Sequence, residues 1–162
     1  MPAQNHVPTA IRMFLMNANL LEKSCRDLSR QEWRRRPAEA SNPVLWIVGH
    51  IIWNRSRALA MLGEEWTRPW LPLFARGAAL SDDAQYPAAE ELMAAWHDVA
   101  AHLTAALDAA AGETLAAPVA EKPPSYDGTV GGMVAFLAFH ETYHVGQVSY
   151  LRCWLGHEGV VG

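Results

Sequence analysis

The sequence predicts an all-α protein, a four-helix bundle of up-down-down-up topology with a long crossover between its second and third helices. Three observations carry that expectation. Apolar residues recur at helical spacing in four separate stretches, helix start and stop residues bracket them, and no alternating period-2 segment bounded by turn residues occurs. At 162 residues the chain fits one domain spanning 1–162, because a division would leave each half too small for a core of its own.

The elements follow in order. Thr9 after Pro8 reads as an N-cap, and Ile11, Phe14, Leu15, Ala18 and Leu21 form the stripe of a first helix over about 9–29. Ser41-Asn42-Pro43 opens the second, with Asn42 as cap and Pro43 at the first helical position, and Gly63 stops it. Leu92, Trp96, Val99, Leu103, Ala106 and Leu107 make a third stripe that ends near Gly112. Thr129 opens the fourth helix, apolar nearly all round at Met133–Phe139 and closing at Gly156. The linker 64–86, rich in Trp, Pro and Gly, is far longer than the roughly 2–8 residues usual between antiparallel bundle neighbours. It can run the length of the bundle and let the second and third helices point the same way. The linker 113–128, with Pro118, Pro123-Pro124 and Asp127-Gly128, is also long, as binding loops and lids often are.

Composition narrows the function. Thirteen basic against 17 acidic residues give a net charge of −4, the wrong sign for binding nucleic acid by counterion release. No apolar run approaches the ~20 residues a bilayer requires, and the first residues lack the basic and apolar regions of a signal peptide. Cys25 and Cys153 form neither a disulfide framework nor a CxxC motif. A cytoplasmic protein with reduced thiols is expected, with no membrane partner. Glu32 and Glu39 flank Arg34-Arg35-Arg36, which reads as a solvated linker.

The chemistry lies in the seven histidines. His140-Glu141-Thr142-Tyr143-His144 puts two imidazoles at i and i+4 on one helix face, within reach of one metal ion. That face also carries Met133, Phe136, Leu137, Gln147 and Leu151, so the pair points into the core. On the second helix His50 shares an inward face with Trp46, Ile47, Asn54, Arg57 and Met61. Two readings stand side by side. A lone inward histidine is usually a hydrogen-bonded core residue, whereas paired neutral imidazoles bring four ring nitrogens that need partners, two of which one divalent cation satisfies. The same five residues match HExxH, in which Glu141 would be the base of a metal-dependent hydrolase. The extended form of that motif needs Gly at 147 and His at 150, where Gln147 and Tyr150 stand, and a solvated or helix-pairing Glu141 competes with it.

Two stretches resemble the DinB-like superfamily, also called DinB/YfiT-like metalloenzymes. Asn42-Pro43-Val44-Leu45-Trp46-Ile47-Val48-Gly49-His50-Ile51 is similar to its second-helix pattern. Thr129-Val130-Gly131, then His140-Glu141-Thr142-Tyr143-His144-Val145-Gly146-Gln147 and Leu151-Arg152, is similar to its last-helix pattern. The resemblance implies a homodimeric four-helix bundle with one divalent metal per chain, nickel or zinc, on three histidines that map to His50, His140 and His144. It implies a thiol-dependent S-transferase joining a low-molecular-weight thiol to an electrophile.

On that reading an open metal position takes the substrate thiol. Asn54 and Arg57 would anchor a carboxylate or orient a ligand, and Gln147 would bond metal-bound water. Trp46, Trp53, Phe136 and Tyr143 read as core filler. The competing readings are a non-catalytic metal-binding stress-response dimer, whose site would be closed by a fourth ligand such as His6, His97, His102 or His157, and a metal-free bundle with structural histidines. His97 and His102 read as surface decoration of the third helix.

Overall fold

The computed structural model describes residues 7–79, 85–119, 125 and 127–161. The described chain is all-α: α1 Val7–Cys25, α2 Val44–Met61, α3 Ala89–Ala109, a short α4 Gly112–Ala116 and α5 Val130–Trp154, with 3-10 turns at Glu32–Arg34 and Leu71–Phe74. Among the described residues no strand forms, and the one extended contact is an isolated bridge between Pro118 and Thr129.

The helix ends shift from the sequence expectation for local reasons. α1 already includes Thr9, so Thr9 is not its cap, and it stops at Cys25 rather than near 29 because Asp27 adopts a left-handed φ of 63° that no helix continues through. Pro43, not Asn42, occupies the cap position of α2, with an extended ψ of 164°. Gly63 and Gly156 follow α2 and α5 at φ of 87° and 97°, as left-handed stop residues do. α3 ends at Ala109, and the linker after it contains α4. Thr129 caps α5: its hydroxyl accepts the Gly132 N–H at 3.0 Å, while Asp127 Oδ1 accepts from both the Thr129 hydroxyl and its backbone N–H.

α2 packs against both α3 and α5, and α1 against α5 and more lightly against α3. Flanked in this way, α2 is buried almost all round from Val44 to Ile52. The core that forms includes Phe14, Leu21, Ile51, Leu59, Leu92, Trp96, Leu103 and Met133. The 3-10 turn Leu71–Phe74 folds the crossover back onto α2, and Gly49 makes that contact possible: a Cβ there would overlap the Phe74 ring. Leu15 departs from its expected stripe, since α1 turns Ala10, Phe14, Asn17 and Leu21 inward and leaves Leu15 exposed. Cys25 is buried, Cys153 is exposed, and neither is bonded. Burial pushes the Cys25 thiol up to about 12.

Candidate metal centre

α2 and α5 bring His50, His140 and His144 together, with one nitrogen from each lying within 4.8 Å of the others. The ring centroids of His140 and His144 are 4.4 Å apart, and His50 lies 5.6 Å and 4.9 Å from them. The three line a cavity of about 410 Å³ between the two helices and the crossover at Arg76 and Gly77.

Two of the three rings are oriented from behind. His50 Nδ1 lies 2.7 Å from the Phe74 carbonyl, and His144 Nδ1 lies 2.7 Å from Gln147 Oε1. Both partners are acceptor oxygens, so in each neutral ring Nδ1 carries the proton and Nε2 keeps its lone pair. His144 Nε2 points at His140 Nε2 across 3.2 Å. His140 Nδ1 is buried with no hydrogen-bond partner among the described residues. His50 is also stacked between Trp46 and Trp53, at 4.9 Å and 5.5 Å. Phe136 lies 5.7 Å from the His140 ring.

This environment keeps the rings neutral. Burial pushes His50 down to about 4, against the raising effect of its bond to Phe74, and the charges of His144 and Arg57 lower it further. His140 also falls to about 4, through burial first and then the nearby His144, His50, Arg57 and Arg76. Burial lowers His144, partly offset by Gln147. Three neutral imidazoles, two of them with Nδ1 engaged and Nε2 left as the ligand atom, fit a divalent cation of the nitrogen-preferring kind. Among the described residues the cluster has these three members and no fourth.

The other expected residues divide. Asn54 and Arg57 line the cavity. Asn54 Nδ2 donates to the His50 carbonyl at 2.9 Å, and the Arg57 guanidinium stands 4.9 Å from the Trp53 ring centroid. Gln147 is not among the residues lining this cavity; its oxygen is engaged by His144 Nδ1, so it orients that histidine. Trp46, Trp53 and Phe136 are cavity walls as well as packing. Tyr143 is 60% exposed and is not core filler, because it lies on the outer face of α5.

Glu141 corrects the hydrolase reading. It is 2% exposed and makes two bonds to Arg55, 2.7 Å from Nε and 2.8 Å from Nη2, so its carboxylate is neither solvated nor available as a base. The helix-pairing alternative is the one realised. Arg55 also donates to the Phe14 carbonyl at 3.2 Å and stacks on Trp96 at 3.9 Å. The proposed completers are elsewhere. His97 and His102 are surface residues near Glu22 and Asp98, and His157 bonds to Glu32 at 2.9 Å. His6 lies outside the described residues. Arg55, Arg76 and the Phe74 carbonyl went unread in the sequence. For Arg55 a signal existed, a charged residue within an otherwise apolar helix; for the other two there was none.

These features define a helical protein with a three-histidine centre able to hold a metal ion, facing a cavity. Residues 13–148 match the model of the DinB superfamily, and the chain belongs to that superfamily. No curated protein matches it. No helix among the described residues is long and apolar enough to cross a membrane.

Proposed function

We propose that the chain is a metal-dependent thiol S-transferase, with His50, His140 and His144 holding one divalent cation, nickel or zinc. The observation that carries this reading is the convergence of three neutral imidazoles, two of them held by acceptors behind the ring, on a cavity of about 410 Å³. A divalent cation there supplies a position at which a thiol loses its proton near neutral pH and reacts as the thiolate.

The chain's own residues do the rest. The Phe74 carbonyl and Gln147 Oε1 fix the tautomers of His50 and His144, which keeps both Nε2 atoms available. Trp46, Trp53 and Phe136 screen the centre from water, and Arg57 orients a substrate bearing negative charge. In the transfer the thiol S–H bond breaks, sulfur forms a bond to the electrophilic carbon, and the leaving group departs with its bonding pair while solvent takes the proton.

We place this centre in a single-domain, cytoplasmic four-helix bundle of up-down-down-up connectivity. Support comes from the helix neighbours, α2 against α3 and α5 and α1 against α5 and α3. The exposed Leu15, Met16, Phe139, Tyr143 and Tyr150 support a homodimer. The lack of a fourth ligand among the described residues favours this reading over a closed, non-catalytic site.

The test is conjugation of a small thiol to 1-chloro-2,4-dinitrobenzene, followed by absorbance. Turnover by wild type that disappears with chelator and in His144→Ala is expected. Metal-loaded protein with no rate above the uncatalysed reaction would leave the non-catalytic dimer as the better reading.

A further inference from the structure

The Phe74 carbonyl that meets His50 belongs to the crossover, which is held by α3 as well as by α2. Between Trp66 and Ala75 the crossover and α2 wall a cleft of about 540 Å³, so part of its length stands off that helix. Toward α3 two indoles reach carboxylates. Trp70 Nε1 donates to Glu91 Oε1 at 2.7 Å, and Trp66 Nε1 donates to Asp98 Oδ2 at 2.8 Å. Arg68 adds a bond to the same Asp98 oxygen at 2.6 Å. An indole N–H is a donor only, and a carboxylate is a strong acceptor for it. Glu91 and Asp98 stand roughly two turns apart on one face of α3, so the two indole bonds lay the crossover along that helix.

Trp70 opens the 3-10 turn that ends on Phe74. The Leu73 N–H donates to the Trp70 carbonyl at 3.0 Å, and the Trp70 and Phe74 rings meet edge to face at 5.7 Å. The Phe74 side chain fills the notch at Gly49, and its carbonyl lies 2.7 Å from His50 Nδ1. No described residue of α3 lines the histidine cavity. We propose that Glu91 and Asp98 are nevertheless positioning residues for the histidine centre, acting through the Trp70 and Trp66 indoles to hold the Phe74 carbonyl on His50. With that carbonyl in place the Nδ1–H tautomer of His50 is favoured, and Nε2 is left as the ligand atom. With the crossover released, Nδ1 turns to water and both tautomers form. The inference rests on the metal reading only for its effect on affinity, because the tautomer is a property of the chain itself.

The experiment is nitrogen-15 NMR of chelator-treated protein at about pH 7.5, reading the two-bond proton correlations of the His50 ring. Wild type is expected to show Nδ1–H alone. So is Glu91→Gln with Asp98→Asn, which keeps an acceptor oxygen at each site. Glu91→Ala with Asp98→Ala, and separately Trp70→Phe, which keeps a ring but loses the N–H, are expected to show both tautomers with helicity retained. Nickel affinity by chelator competition should fall about tenfold in those two variants and stay within about twofold of wild type in the conservative one. Glu91 is exposed, Asp98 is half-exposed and alanine favours a helix, so the alanine variant keeps its fold, and Trp70→Phe probes the same bond from the crossover. Nδ1–H alone in either disruptive variant, or its loss to the same extent in the conservative one, overturns the inference. Wild type with Nε2–H at His50 overturns it as well, and so does unchanged nickel affinity where the tautomers mix. Wild type that binds no nickel removes the metal reading, and the tautomer arm still decides whether α3 positions His50.

Discussion

On one face of the contact between α2 and α5, Arg55 meets Glu141 in a bidentate pair, each only 2% exposed. On the neighbouring face, His50 meets His140 and His144 beside a cavity. Both faces draw on the same two helices, and Glu141 directly follows His140 in the chain. The first is chemically complete: the carboxylate has two donors, and the guanidinium has Glu141, the Phe14 carbonyl and the face of Trp96. The second is complete only on its outer side, where Phe74 and Gln147 hold Nδ1 atoms, and directs its lone pairs inward. A helix pair can thus carry one polar contact that sets its register and another that is left to receive something. The HExxH pattern joins the two faces in sequence but not in role.

The largest effect should come from breaking the closed face. Glu141→Ala strands a buried guanidinium and should cost about 3–5 kcal/mol in urea unfolding, whereas replacing both partners, Arg55→Met with Glu141→Leu, should recover most of that loss. An equal loss in single and double variants would mean that the pair is more than a register lock. Next is Gly49→Ala, which forces Phe74 off α2 and takes its carbonyl from His50. A loss of about 1–3 kcal/mol by overpacking is expected, together with metal affinity weakened about 10–100-fold in competition with a chromophoric chelator. Gln147→Leu should weaken metal affinity over about the same range, with thermal stability nearly unchanged because Gln147 is only half-buried. This variant separates the two faces most cleanly, since it touches the open one alone.

A further effect is the pH dependence of the metal-free protein. The rings of His50 and His140 titrate near 4 when folded, below the ordinary value of 6.5, because burial disfavours their charged forms. Between those values the unfolded chain binds more protons than the folded one, so stability falls as pH drops from about 6.5 toward 4 and levels off below. Urea midpoints with chelator present should be lower at pH 5 than at pH 7.5, and His50→Gln should flatten the difference. A midpoint that rises on acidification would contradict the burial argument.

The open face was legible in the sequence because its geometry is intrahelical. The i, i+4 spacing of His140 and His144, and the shared stripe of His50 with Trp46 and Asn54, follow from helix periodicity, as do the four stretches behind the all-α class. The closed face was not legible, because which residue of α2 meets Glu141 depends on the register of two helices separated by the whole crossover. Backbone partners were hidden for a similar reason: nothing in the letters around Phe74 says that its carbonyl turns to His50. The contact of Gln147 with His144 Nδ1 was also hidden, since i+3 spacing brings it near His144 without saying whether it lies in front of the ring or behind. Tyr143 misled because α5 carries aromatic residues on its outer face as well, and residue type does not distinguish a core position from an exposed one.

On the proposed reading the open face holds one cation on His50, His140 and His144. Calorimetric titration of chelator-treated protein with nickel, for wild type and for His50→Ala, His140→Ala and His144→Ala, tests it most directly. Binding of one ion per chain in wild type, lost or weakened by at least about 100-fold in each variant with helicity retained, is the expected result. Wild-type protein that binds no nickel or zinc, or three variants that bind as wild type does, would contradict it.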